Sequence, residues 1–468
     1  MKVKTIHRGM AQCALDLGDG SERAEYVCQD YVLNKLRRPH RAVNIMYTYY
    51  PKDKEWPARI SEACKDMDVS FAWDYPYDDY FPYGQNNQPF EQMRDIRRHG
   101  QDVMLTITMD CSLEDSYLEE IAEQLSNFGR MRLRINHECN GNWFTHNKRY
   151  SYKEIADFFV RFNDIIKAKA PNITTVFCAG LIGEDGKVEC EDDFAKAYEA
   201  ADEWSADKYL ALHYGWPYDV AEKGGNSYTF ENTEALFSRY KGTHERLSCL
   251  FGNKVLTSAE MNVDGDVSGP MNQSRAVLHF YDLIKQNKAS WFRGVSMYQF
   301  RDRGRLGLEI EDPNNSSVGI EQPLLKDYVK IMNDPYFTPA VEITGESEWP
   351  VRMRWGGAED ADGIEMTVML ERFPVFCEAT FEKELSLMID WDGMWFYKAP
   401  GVEIVDFMPY FFGKSKLPKK EVPVRIYSTP ADGCNHPNGC DDWNINYYST
   451  MNAKPLWRIR YEEVGIVI

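Results

Sequence analysis

Glu138 and Glu260 are the two residues on which chemistry can be built. Residues 132–144 read Arg-Leu-Arg-Ile-Asn-His-Glu-Cys-Asn-Gly-Asn-Trp-Phe, a short alternating strand that runs into a polar, aromatic loop. Glu138 therefore stands at a strand end beside His137, Asn140 and Trp143. That set supplies a proton donor, an imidazole and an amide to position hydroxyls, and a flat face for a pyranose ring. Cleavage of a glycosidic bond needs those groups. The plainer alternative is a loop carboxylate beside a half-buried tryptophan, and the context of the motif decides between them.

The elements around the motif supply that context. Strand-like runs at 42–49, 69–74, 102–109, 132–137, 173–179, 209–214, 254–259 and 294–300 alternate with helical patterns at 55–65, 89–99, 114–127, 152–168, 194–204, 233–249, 273–286 and 324–332. Strands alternating with helices imply a parallel sheet with crossover helices, and eight of each imply a (β/α)8 TIM barrel. An open doubly wound sheet would place a glycine-rich turn after its first strand, where this chain has Tyr-Tyr-Pro-Lys-Asp at 49–53. The expected organisation is a lead-in at 1–42 packing on the barrel (with helical character at 21–37), the barrel at 43–336, and an antiparallel β-sandwich at 340–468. Alternating runs at 351–355, 364–370, 387–391, 422–427 and 456–461 mark the sandwich, and Pro423 points to an edge strand.

In such a barrel the working residues sit at the C-terminal ends of the strands. Trp73, Asp74 and Tyr75 follow the second run, His213, Tyr214 and Trp216 the sixth, Glu260 the seventh and Tyr298 the eighth. The mouth is rich in carboxylates and aromatics. Glu138 and Glu260 end strands four and seven, which face each other across the axis. Arg134 could orient a carboxylate from below. Trp73, Tyr75, Trp143, Trp216 and Tyr298 are candidate sugar platforms, with burial in the barrel the alternative for each. A retaining glycosidase needs carboxyls about 5–5.5 Å apart, an inverting one about 6.5–9.5 Å.

The segment His137-Glu138-Cys139-Asn140-Gly141-Asn142-Trp143-Phe144 resembles the strand-four motif of glycoside hydrolase clan A, and within it the family 26 pattern His-Glu-Met-Asn-Gly followed by aromatics. Cys139 stands where that pattern has Met, and the context of Glu260 departs from it. The resemblance covers the barrel. It implies Glu138 as acid/base, Glu260 as nucleophile and His137 beside the acid. Tyr214 resembles the tyrosine that commonly hydrogen-bonds the clan nucleophile. The implied substrate is a β-linked polysaccharide or oligosaccharide cleaved endo, β-mannan first, with β-glucan and xylan next.

Composition narrows the alternatives. A net charge of −19 argues against a nucleic-acid partner and against docking on an anionic membrane. No apolar run is long enough to span a bilayer, and the first residues lack a signal-peptide core, so the sequence as it stands reads as cytoplasmic, or as secreted if a signal was removed. The 11 cysteines, an odd number at irregular spacing, read as reduced thiols, although Cys434 and Cys440 could bridge. No spacing of His or Cys suits a metal, and no cofactor is expected. A carbohydrate-binding protein without activity, and a barrel lyase or isomerase, are the competing function classes. Trp391, Trp395, Phe396 and Tyr397 could form a carbohydrate-binding patch, but alternation in a strand points rather to the core of a domain that buttresses the barrel.

Overall fold

The computed structural model describes residues 2–19, 25–67, 80–81, 88–141, 148–182, 192–213, 228–434 and 445–462. Eight parallel strands close a barrel. In order they are Ala14–Gly18, Ala42–Tyr49, Asp102–Thr108, Met131–Ile135, Ile173–Cys178, Glu203–Asp207, Leu256–Met261 and Phe292–Met297, the last pairing with the first. Ala42–Tyr49 and Asp102–Thr108 are buried along their whole length. One face of each strand meets the barrel interior and the other the surrounding helices, so both faces exclude water. Helices follow the same logic. In Gln88–Arg98 the residues Phe90, Met93 and Ile96 recur at helical spacing and are fully buried. Tyr152–Lys169, after strand four, starts at a capping box in which Ser151 and Glu154 satisfy each other's backbone amides.

Three sequence expectations change. The closed barrel takes its first strand from Ala14–Gly18, inside the expected lead-in, and 69–74, which lies outside the described residues, is not among its eight strands. The sixth strand is Glu203–Asp207, where a helix was expected to 204. The helix is only Ala195–Ala200. The expected sixth strand shrinks to Ala211–His213, which pairs antiparallel with Tyr228–Phe230 beside the barrel. The omitted and the extra strand offset each other, so Glu138 and Glu260 still follow strands four and seven.

The C-terminal part is two antiparallel sheets packed face to face. The chain's own first strand, Lys2–Arg8, lies in the larger sheet between Val341–Glu348 and Asp360–Met369. The lead-in is thus divided between the two domains. Glu421–Ser428, which carries Pro423, is an interior strand rather than an edge. Its pairing with Leu387–Trp391 begins only at Val424, so the missing amide of Pro423 falls outside that ladder. Trp391 is fully buried between the sheets, stacked on Phe407 at 4.7 Å and beside Trp457 at 5.4 Å. Trp395 is buried too, and Phe396 and Tyr397 are half-buried, which fits a buttress better than a carbohydrate platform. Cys434 is a buried free thiol, and Cys440 lies outside the described residues.

The sandwich seals the floor of the barrel, where the strands begin. Ala358 donates its amide to Asp102 at 3.0 Å, Thr429 Oγ1 donates to the Arg98 carbonyl at 2.7 Å, and Arg130 pairs with Asp360 at 2.5 Å. The opposite face, at the strand ends, is left for chemistry. Among the described residues no helix is long and apolar enough to cross a membrane.

Candidate active site

Strand four delivers two residues to the site. Arg134 points into the barrel, and its side chain is wholly buried. Asn44 Oδ1 accepts from Thr106 Oγ1 at 2.9 Å, and Thr106 Oγ1 accepts from Arg134 Nε at 2.8 Å. That chain, drawn from strands two and three, fixes the plane of the guanidinium. Beyond Ile135 the backbone turns sharply. Asn136 and Glu138 both have φ of 50°, in the left-handed region that branched or bulky residues avoid. Asn136 Oδ1 accepts the amide of Met109 at 2.6 Å and holds the turn against strand three. A regular strand would send His137 and Glu138 to opposite faces. This turn brings Glu138 to the mouth and leaves His137 buried.

Glu260, at the end of strand seven, receives two donors. Arg134 Nη2 donates to its Oε1 at 2.6 Å, and the Tyr209 hydroxyl donates to its Oε2 at 2.7 Å. Donors on both oxygens suit an anionic carboxylate. Arg134 Nη1 meanwhile donates to both oxygens of Asp207, at 2.7 and 2.6 Å. One carboxylate oxygen from each of Glu138, Asp207 and Glu260 lies within 4.8 Å of the other two.

Three carboxylates therefore face one guanidinium. Burial pushes the Asp207 carboxyl up, against the pull of Arg134, and the charges of Glu260 and Glu138 push it further. Burial and the neighbouring Glu260 likewise push the Tyr209 phenol up, so it remains a proton donor. Like charges this close in a buried site oppose one another's ionisation, and the Arg134 guanidinium offsets part of that. The same three carboxylates are the described group best placed to hold a cation. Arg134 already supplies that charge, with its terminal nitrogens 2.6 Å from both Asp207 and Glu260.

Exposure separates the three acids. The Asp207 side chain has no solvent contact and Glu260 keeps 7%, while Glu138 is half-buried at the mouth. Of the three, Glu138 and Glu260 keep contact with solvent.

The remaining expected site residues fall into four groups. Asn140 is near Glu138, but its Oδ1 accepts the amide of Gly180 at 2.7 Å, and the Tyr152 hydroxyl donates to its carbonyl at 2.9 Å. It shapes the loop, and a side chain at Gly180 would collide with it. Tyr298 is 5% exposed and packs edge-on against Tyr209 at 6.0 Å, so it backs that tyrosine rather than offering a face to a sugar. Gly18 gives its ring room, since a Cβ there would lie 2.7 Å from it. His213 closes the short strand Ala211–His213. Trp73, Asp74, Tyr75, Trp143, Tyr214 and Trp216 lie outside the described residues.

Sequence reasoning missed Asp207 and Tyr209. Among the described residues the tyrosine that hydrogen-bonds Glu260 is Tyr209; Tyr214, expected there from the resemblance, lies outside them. The available signal was Glu-Trp-Ser-Ala-Asp at 203–207, an alternating stretch directly after a helix, which the longer apolar run at 209–214 masked.

No family model matches the chain, and no curated protein matches it in sequence. Similar solved structures include a family 51 α-L-arabinofuranosidase from Bifidobacterium longum, at 12% identity over 90% of this chain and 97% of that one, TM-score 0.44. An α-L-arabinofuranosidase from Thermotoga maritima has 11% identity over 90% of this chain and 97% of its own, TM-score 0.46. A family 26 β-mannanase from Bacteroides ovatus has 11% identity over 70% and 89%, TM-score 0.41. At such values the chemistry of this chain is read from its own residues.

Proposed function

We propose that the protein is a retaining glycoside hydrolase in which Glu260 is the nucleophile and Glu138 the acid/base. The observation that carries this reading is the approach of the two carboxylates within 4.8 Å at opposed strand ends. That closeness is nearer the separation of about 5–5.5 Å for direct attack than the about 6.5–9.5 Å of an inverting site. Glu260, anionic between Arg134 and Tyr209, attacks the anomeric carbon. Its bond to the sugar forms as the bond to the leaving oxygen breaks, and Glu138 gives that oxygen its proton. Glu138 then takes a proton from water, and the hydroxide displaces Glu260. Asp207 acts through Arg134 as a positioning residue.

The substrate we propose is a β-linked polysaccharide or oligosaccharide cleaved endo, with β-mannan first and β-glucan or xylan next. Its support is the strand-four motif at 137–144 and the tryptophans and tyrosines at the strand ends. The test is digestion of mannan, galactomannan, glucomannan, xylan and β-glucans by wild type, Glu138→Gln and Glu260→Ala. Oligosaccharides of retained anomeric configuration should appear with wild type, and release should fall by orders of magnitude in both variants. Full activity in Glu260→Ala would defeat the mechanism. Saturable glycan binding by wild type with no product would make the protein a carbohydrate binder.

A further inference from the structure

The floor of the barrel, at the far end from Glu138 and Glu260, contains a small, partly open pocket. It lies where the C-terminal sheet meets the barrel. Arg8 reaches it from the sheet, and Arg38, His40 and Arg41 reach it from the segment that leads into barrel strand two. The lining also contains one carboxylate, Glu359.

The lining carries the guanidiniums of Arg8, Arg38 and Arg41 against the one carboxylate of Glu359, with Asp390 and Asp102 further off. Arg41 is paired with the buried Asp16, donating from Nε at 2.8 Å and from Nη2. Glu359 is paired with Arg293 and accepts the amide of Ala11 at 2.9 Å. Those two pairs are neutral. Arg8 is only 5% exposed, and its single hydrogen bond to a described residue runs from Nε to the Ala358 carbonyl at 2.8 Å. Its guanidinium lies over the Trp395 ring at 4.6 Å. Arg38 donates only to Asn333 Oδ1, at 3.2 Å. Neither Arg8 nor Arg38 forms an ion pair with a described carboxylate. Burial lowers the pKa of both; the charge of Asp390 opposes this at each, and the charge of Arg8 adds to the lowering at Arg38.

Two more donors are left over. Arg41 Nη1 and His40 Nδ1 are buried, and neither bonds a described group. A buried polar atom without a partner is costly, and a buried guanidinium without a direct ion pair, as at Arg8, more so. A negatively charged ligand with several acceptor oxygens answers both demands, because guanidinium groups match oxyanions in charge and geometry.

We propose that this pocket binds a small oxyanion of the phosphate or sulfate type, held by Arg8 and Arg38 with Arg41 Nη1 and His40 Nδ1 as further donors. Since Arg8 comes from the C-terminal sheet and the others from the barrel, the bound anion ties the two domains together. The site is independent of the proposed glycosidase chemistry at the other end of the barrel.

The test is calorimetric titration of the full chain with inorganic phosphate at neutral pH, with ionic strength held constant by chloride. Wild type should show one saturable site per chain and a thermal midpoint that rises with phosphate. Arg38→Gln keeps the fold, since Arg38 is half-exposed and makes one described hydrogen bond, and its melting curve in chloride checks this. It should bind phosphate roughly ten- to a hundredfold more weakly, the effect of losing a charged hydrogen bond of about 1.5–3 kcal/mol. Glu260→Gln should bind as wild type does. Competition by sulfate would support a free inorganic oxyanion as the ligand, and tighter binding of glucose 6-phosphate a phosphate carried on a sugar. No saturable binding by wild type, equal binding by wild type and Arg38→Gln, or loss of binding in Glu260→Gln would overturn the proposal.

Discussion

Arg134, on barrel strand four, donates to Glu260, on strand seven, at 2.6 Å across the barrel, and Asp207 on strand six takes the other terminal nitrogen. Strand four, which pairs with neither strand six nor strand seven, is thereby joined to both through one guanidinium. The site is assembled around this buried cation, and its loss should be felt in folding before it is felt in catalysis.

Arg134→Met should destabilise the protein by about 3–5 kcal/mol, since it leaves two buried carboxylates without their partner. Arg134→Lys should recover only part of this, because an ammonium cannot present two separate nitrogens to two acids. Urea denaturation of the three proteins checks both statements. Equal stability of Met variant and wild type would mean that the pairs contribute nothing net.

Tyr209→Phe removes one donor from Glu260 and leaves the ring packed on Tyr298. A hydrogen bond to a charged group is worth about 1.5–3 kcal/mol, so kcat should fall roughly ten- to a hundredfold with little change in KM. Steady-state kinetics on a polysaccharide that wild type cleaves measures this. An unchanged kcat would remove Tyr209 from the proposed machinery.

Asp207→Asn preserves shape and deletes a negative charge within 4.8 Å of both Glu138 and Glu260. Less negative charge nearby makes the catalytic acid give up its proton more readily, so the alkaline limb of kcat/KM should move to lower pH. A simple packing role would lower activity without moving the limb. The pH–rate profile therefore separates the two.

Asp102 provides a test at the other end of the barrel. Burial pushes its carboxyl up to about 6, although it accepts the Ala358 amide. Its folded-state pKa lies above the unfolded value of about 3.9, so the folded state holds the proton more tightly. The resulting stability is full below the unfolded pKa and is lost as pH rises through about 6, a change of about 3 kcal/mol at most. Asp102→Asn should flatten this slope and equal or exceed wild type at neutral pH. Denaturation at a series of pH values checks it, and a slope retained in the variant would place the titration elsewhere.

Much of this protein is determined by its sequence alone, because most barrel strands are apolar on both faces and most helices carry a regular apolar stripe. Ala42–Tyr49 and Asp102–Thr108 announce themselves in this way, and the sandwich strand Leu456–Tyr461 does so by alternation. Glu138 and Glu260 stand out as carboxylates at strand ends. The elements that escaped are those whose polarity is neutralised from elsewhere in the chain. Ala14–Gly18 carries Asp16, which is paired with Arg41. Glu203–Asp207 carries an acid at each end, one paired with Arg132 and the other with Arg134. A charged residue in a short segment reads as surface. Only the folded barrel, by bringing an arginine from elsewhere in the chain, makes it interior. For the same reason Asp207 and Tyr209 joined the site only when the strands closed, since the contacts that define them run between strands and leave no local pattern.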